Sequence, residues 1–194
     1  MERYRGAVCI PIIVGEKEDS FLVHRDRLFS TSSWFQTTLN SGLKETALQQ
    51  ISLPKDDPEV VEIFLQWLYG GSSALCEKTF MQLARLYEFA NRLFISELKN
   101  SIIRTLYKLR KQDQILPTAL IEYVYEHVPE KSPFRKLLIA WFTWHKKSAK
   151  TLTEDVLSTN LQFAAELVLA MIEAENGALD IFTQAPEEHY ELLK

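Results

Sequence analysis

Phe21-Leu-Val-His-Arg-Asp-Arg-Leu-Phe-Ser-Thr-Ser-Ser-Trp-Phe35, closing further on at Gly42-Leu-Lys-Glu45, is the stretch of this chain that decides its fold. The apolar triplet Phe21, Leu22, Val23 ends abruptly at His24. After it, Leu28, Phe29, Trp34, Phe35 and Leu39 recur at helical spacing. A short strand therefore feeds two short helices. Upstream, Ala7 to Val14 is rich in Val and Ile and is broken by Gly15-Glu-Lys-Glu-Asp-Ser20, which predicts a hairpin with the strand at Phe21 to Val23. Pro11 removes one ladder donor from that first strand, so its position is expected at an edge or a bulge. Downstream, Ile51-Ser-Leu-Pro54 reads as another short strand. Asp57 is an N-cap with Pro58 at the first helical position, and the helix through Phe64-Leu-Gln-Trp-Leu-Tyr-Gly-Gly71 stops where Gly70 and Gly71 supply the left-handed conformation.

From Phe80 onward the pattern is helical. Phe80, Leu83, Ala84, Tyr87, Ala90 and Phe94 form one stripe, and Met81, Leu86, Phe89 and Leu93 fill the opposite side. A helix that is apolar almost all round is expected at the centre of the core. Lys108 to Gln114 reads as a polar break and as the domain boundary. Beyond it, Pro117 to His127, Pro133 to Lys147 and Asn160 to Glu175 read as helices, with Ser132 and Pro133 repeating the cap, a short turn near Thr153 to Leu157, and a stop at Gly177. No internal repeat and no low-complexity tract is present.

The first half of the chain resembles the BTB/POZ domain. That family's second strand ends in Val-His, runs through a Leu and a Ser before an aromatic pair, and closes on a small-apolar-x-Glu step. The matching positions are Val23, His24, Leu28, Ser32, Trp34, Phe35 and Gly42 to Glu45. Leu83 to Asn91 and Leu98 to Asn100 are similar to the family's closing helical hairpin, and the short form is most like the fungal BTB proteins. The resemblance implies an α+β class: a BTB/POZ core, a small β-sheet packed by α-helices over residues 7–110, followed by an all-α extension over 115–194. That extension is similar to the family's BACK region in class only.

Composition bounds the alternatives. Hydrophobic residues at 46% and charged residues at 25% are ordinary globular values. With 22 basic against 26 acidic side chains the formal charge is -4, so no global field draws in nucleic acid or an anionic membrane. Neither is expected as a partner. Cys9 and Cys76 read as reduced, packed thiols rather than a disulfide or zinc set. The start of the chain lacks a signal-peptide core, and the apolar runs Leu137 to Phe142 and Leu167 to Ile172 are far short of the roughly 20 residues a bilayer span needs. A soluble protein of cytosol or nucleus is the expectation.

Catalytic chemistry has no positive sign in the sequence. His24, His127, His145 and His189 each stand apart from a second ligand at metal spacing, so no metal and no cofactor is expected. Gly70-Gly71 lacks the Gly-Lys-Ser/Thr of a phosphate loop, and no Gly-x-Ser-x-Gly elbow occurs. His24 reads as a buried hydrogen-bonding residue that fixes the strand-to-helix corner. Lys99, Arg104, Lys108, Arg110 and Lys111 alternate with apolar residues and read as a solvated helix face rather than a nucleic-acid patch. Trp141 and Trp144 read as helix-packing aromatics.

One constellation carries a functional reading. In BTB proteins that recruit a cullin scaffold, an apolar-x-acidic step after the third helix lies in the cullin groove, and a Tyr at the end of the next long helix borders it. The resemblance assigns these roles to Leu43, Glu45 and Tyr69, although Gly-Leu-Lys-Glu also simply ends a helix. It implies a non-enzymatic adaptor with a cullin scaffold and an unknown target protein as partners. A BTB oligomerisation scaffold without a ligase is the alternative. Strand-swapped homodimers of the family exchange a segment ahead of the first core strand and place an Asp where Cys9 stands. Only Met1 to Gly6 precede that strand here, so swapping is not expected, and the shape is closer to elongin C and the Skp-type adaptors.

Overall fold

The computed structural model describes residues 8–40, 50–110, 116–144 and 154–175. Strands β1 (Cys9–Val14) and β2 (Asp19–His24) form the hairpin read from the sequence, with Ile10 opposite Val23 and Ile12 opposite Phe21. Strand β3 (Ile51–Leu53) joins β1 in parallel, which gives the sheet order β2-β1-β3. Alternation sends Ile10, Ile12, Val14, Val23, Ile51 and Leu53 into the core.

Pro11 corrects the edge-or-bulge expectation, because it lies in the middle strand opposite Leu22 with no break in register. The hydrogen-bond phase explains why it is tolerated. The Arg25 N–H donates to the Val8 carbonyl at 2.9 Å, and the Gly15 N–H donates to the Leu53 carbonyl at 3.0 Å. Odd residues of β1 thus turn their amides toward β3, whose described pairing begins only at Ile12. Proline at position 11 costs the β1–β2 ladder nothing.

Helices α1 (Arg25–Thr31) and α2 (Ser33–Asn40) follow β2 and are separated by Ser32. The Ser32 hydroxyl accepts from the Trp34 N–H at 3.1 Å and donates to the Leu93 carbonyl at 2.7 Å, tying this corner to the core. Helix α3 (Pro58–Gly70) starts as read, with the Asp57 carboxylate accepting from the Glu59 N–H at 2.9 Å. It ends at Gly71, whose φ of 69° and ψ of -161° suit a residue without Cβ. Gly70 itself stays within the helix.

Helix α4 (Phe80–Arg92) occupies the centre. Its Phe89 ring lies 5.5 Å from Phe64 of α3, and its Tyr87 ring lies 5.1 Å from Phe134 on the other side. Leu83, Ala84, Leu86, Tyr87, Phe89 and Ala90 are all buried. Phe94 leaves the stripe assigned to it: it sits just past the helix end with φ of 56° and is 70% exposed. The Ile95 N–H reaches back to the Ala90 carbonyl at 2.8 Å, the reverse turn that closes many helices and points residue 94 outward.

Helix α5 (Ser96–Arg110) runs through Lys108, so the polar break does not begin there; residues 111–115 lie outside the described part. Lys99 does not join the solvated face. It is 4% exposed, with its ammonium 3.2 Å from the Asn91 side-chain oxygen. The remaining helices are α6 (Thr118–His127), α7 (Pro133–Trp144), α8 (Glu154–Thr159) and α9 (Leu161–Glu175). Helix α8 replaces the turn expected near Thr153 to Leu157, while Gly177 falls outside the described residues. Ser132 caps α7 as read, accepting from the Arg135 N–H at 3.3 Å. Trp141 packs inward, its ring 5.5 Å from Phe80. Cys9 and Cys76 are both exposed, which corrects the expectation of packed thiols. Cys9 lies on the outer face of the sheet, the phase opposite to Ile10.

Candidate protein-interaction surface

The surface is built from the free edge of the sheet outward. Among the described residues strand β2 has no partner on its far side, and the pairing phase turns the amides of its even residues away from β1. The last of these, His24, finds the end of α3. Its N–H donates to the Tyr69 hydroxyl at 3.1 Å, and that hydroxyl also lies within hydrogen-bond distance of His24 Nδ1, at 2.8 Å. The two rings meet nearly edge-on, with centroids 5.8 Å apart. His24 does fix the corner, yet it is exposed rather than buried.

Tyr69 is thereby held in one orientation while 48% of it remains in contact with solvent. A clamped, half-exposed aromatic suits binding, because little side-chain freedom is left to lose on association. Of the three residues singled out in the sequence, Tyr69 stands on this surface, and Leu43 and Glu45 lie outside the described residues.

Sequence reading missed an exposed apolar residue of the same edge. Leu22 is 73% exposed. The period-2 phase of Phe21, Leu22 and Val23 contained the signal for Leu22: if Phe21 and Val23 face inward, Leu22 faces out.

A second polar feature bridges the core and the helical region. Arg92 bonds Asp56 with both terminal nitrogens and Glu88 at 3.2 Å, and Arg85 lies 3.6 Å from Asp57. Burial pulls the Arg92 guanidinium down, but its bonds to Asp56 and the charges of Asp56 and Glu88 outweigh this and raise it above the usual arginine range. Tyr123 of α6 shares this cleft, and burial followed by the Glu88 charge raises its hydroxyl above the ordinary tyrosine range. The positive and negative side chains balance, so the cleft neutralises itself. Among the described residues no group of three or more His, Cys, Asp or Glu is arranged to hold a metal ion, and no helix is long and apolar enough to cross a membrane.

The three-stranded sheet, the helices on it and this exposed edge agree with comparison to known families. The BTB/POZ domain model matches residues 5–109, more than half of the chain, and the chain belongs to the BTB/POZ domain family. Domains of this family mediate protein–protein interaction. No curated protein matches the chain.

Proposed function

We propose that the protein is a non-enzymatic adaptor, of cytosol or nucleus, that recruits a target protein to a cullin-RING ubiquitin ligase. Leu43, Glu45 and Tyr69 make the cullin contact. The observation that supports this reading is Tyr69, half-exposed at the end of α3 and clamped by His24 at the position where ligase-recruiting relatives carry a groove-bordering tyrosine. Leu43 and Glu45 enter through the family pattern: one apolar anchor and one carboxylate make a small hot spot of the kind that carries binding energy.

The test is binding of the purified amino-terminal region of a cullin to the full chain and to the double variant Leu43→Ala, Glu45→Ala. Each truncation is expected to cost about 2 to 4 kcal/mol of binding, with thermal melts unchanged. No binding by the native chain at tens of micromolar, or full binding by a folded double variant, overturns the ligase reading and leaves an oligomerisation scaffold.

A further inference from the structure

We propose that the free edge of β2 pairs antiparallel with the same edge of a second copy of this chain, with Phe21 opposite Phe21 at the centre. The pairing exchanges no segment ahead of β1. It does not depend on the cullin reading, since the sheet edge alone carries it.

The edge offers a ladder of defined length. Odd residues of β2 bond β1, so the even ones turn their amides and carbonyls outward. Two outward amides are already engaged: Glu18 donates to the Gly15 carbonyl at 3.3 Å within the turn, and His24 donates to the Tyr69 hydroxyl at 3.1 Å. Among the described residues Ser20 and Leu22 have no partner for theirs. An antiparallel copy centred on Phe21 sets Ser20 of each chain against Leu22 of the other. Such pairs exchange both N–H···O bonds, so the free amides of both copies are satisfied together, and the ladder stops at Glu18 and at the Tyr69 cap. Centring on Leu22 instead would set Ser20 against His24, whose amide is taken.

The side chains of the edge leave it open. Natural edges are blocked by a charge, a proline or a bulge, and Ser20 to Val23 contains none of these. Leu22, 73% exposed, stands in the middle of the stretch. In the pairing it lies diagonally across from Leu22 of the second copy, on the outer face of the sheet.

Charge decides the occupant. The turn end of β2 carries Glu16, Glu18 and Asp19 against Lys17, and the helix end carries Arg25 and Arg27 against Asp26. All are exposed, and among the described residues none of them joins an ion pair. An antiparallel occupant must therefore run from acidic through apolar to basic. Residues 16–27 read in that order themselves. Two copies place each acidic turn beside the other's arginines, with Glu18 facing His24 of the second copy and Asp19 one diagonal step from its Arg25. The contact is two-fold and uses up both edges, so it closes at a dimer. So short an interface belongs to the weak class, below about 1,200 Å² of total buried surface.

The test is sedimentation velocity of the full chain from about 5 μM to about 1 mM, with an expected Kd on the order of 100 μM. Hydrogen exchange at Ser20 and Leu22 should slow over the same range. Leu22→Pro removes an outward donor, leaves the β1–β2 ladder intact and should keep the chain monomeric to about 1 mM. Asp19→Lys and Arg25→Glu should each weaken the dimer about fivefold or more, and the double variant should return it to within about threefold of the native chain. Thermal melts accompany each variant; should Leu22→Pro fail to fold, the charge reversals still decide. A native chain that stays monomeric at about 1 mM overturns the proposal and leaves the edge to another protein's strand or to water. A dimer unchanged by a folded Leu22→Pro, or a double reversal that restores nothing, overturns it equally.

Discussion

Tyr69 and Phe94 both hold aromatic rings in water, and the backbone treats them oppositely. Tyr69 completes the sheet, since its hydroxyl takes the His24 amide that the free edge of β2 would otherwise leave to solvent. Tyr69→Phe is expected to cost about 0.5 to 1.5 kcal/mol in urea unfolding; an unchanged midpoint shows that water replaces the hydroxyl without loss. Phe94, by contrast, occupies a left-handed position at φ of 56° that favours glycine, with its side chain 70% exposed. Phe94→Gly should therefore raise stability by about 1 kcal/mol, since left-handed strain is relieved and little packing is lost. A destabilised variant would show that the ring makes contacts its exposure hides. At this scale the sequence was legible only in part. The outward turn of Leu22 follows from period 2, but nothing in His24 or Tyr69 announces that residues 45 positions apart share a hydrogen bond.

Element boundaries followed their caps where the capping chemistry is local. Thr79 and Gln82 close a reciprocal box at the start of α4, with Thr79 accepting from the Gln82 N–H at 3.2 Å and Gln82 accepting from the Thr79 N–H at 2.9 Å. Lys99 shows the limit of reading charge as exposure. It lies one helical turn from Ile95, Ile102 and Ile103, all fully buried, so the period places it inside whatever its charge, and Asn91 supplies the oxygen that makes this tolerable. Arg135 was equally unannounced. It is buried and donates to the carbonyls of Val128 at 2.9 Å and Tyr125 at 2.7 Å, capping the end of α6 with a cation. Tyr125 gives this layer a pH signature. Burial first, then the hydrogen bond to Glu166 and its charge, push the hydroxyl well above its ordinary value of 10.0. The folded state therefore keeps a proton that the unfolded chain releases. Stability from this group is complete below pH about 10 and falls as pH rises above it. Tyr125→Phe should lose less stability between pH about 9 and 11 than the native chain; parallel urea titrations give the comparison, and equal slopes reject the assignment.

At the scale of the whole molecule, the family half and the helical region share one core. The sequence showed the first half clearly because its motifs are local: the strand ending at His24, the aromatic pair, and the helix stopped by Gly71. The joint was hidden because it depends on which side of α4 faces which neighbour, a tertiary fact that an all-round apolar helix leaves open. Tyr87 and Phe89 of α4 point to opposite sides, one toward Phe134 of α7 and the other toward Phe64 of α3. Leu106 of α5 and Leu138 of α7 belong to the same buried cluster. With α4 shared in this way, neither half can lose its partner without exposing one side of that helix. Phe134 is 1% exposed, so Phe134→Ala should cost about 3 to 5 kcal/mol through lost burial and the cavity left behind. The cost should appear in the BTB/POZ half as well, because both halves unfold together. Trp67 of α3 and Trp141 of α7 are buried on either side of α4 and can report separately once the other tryptophans are replaced by Phe. Coincident urea transitions at both reporters, shifted equally by Phe134→Ala, are the expected result. A Trp67 transition that stays in place while that of Trp141 moves means that the two halves are independent domains.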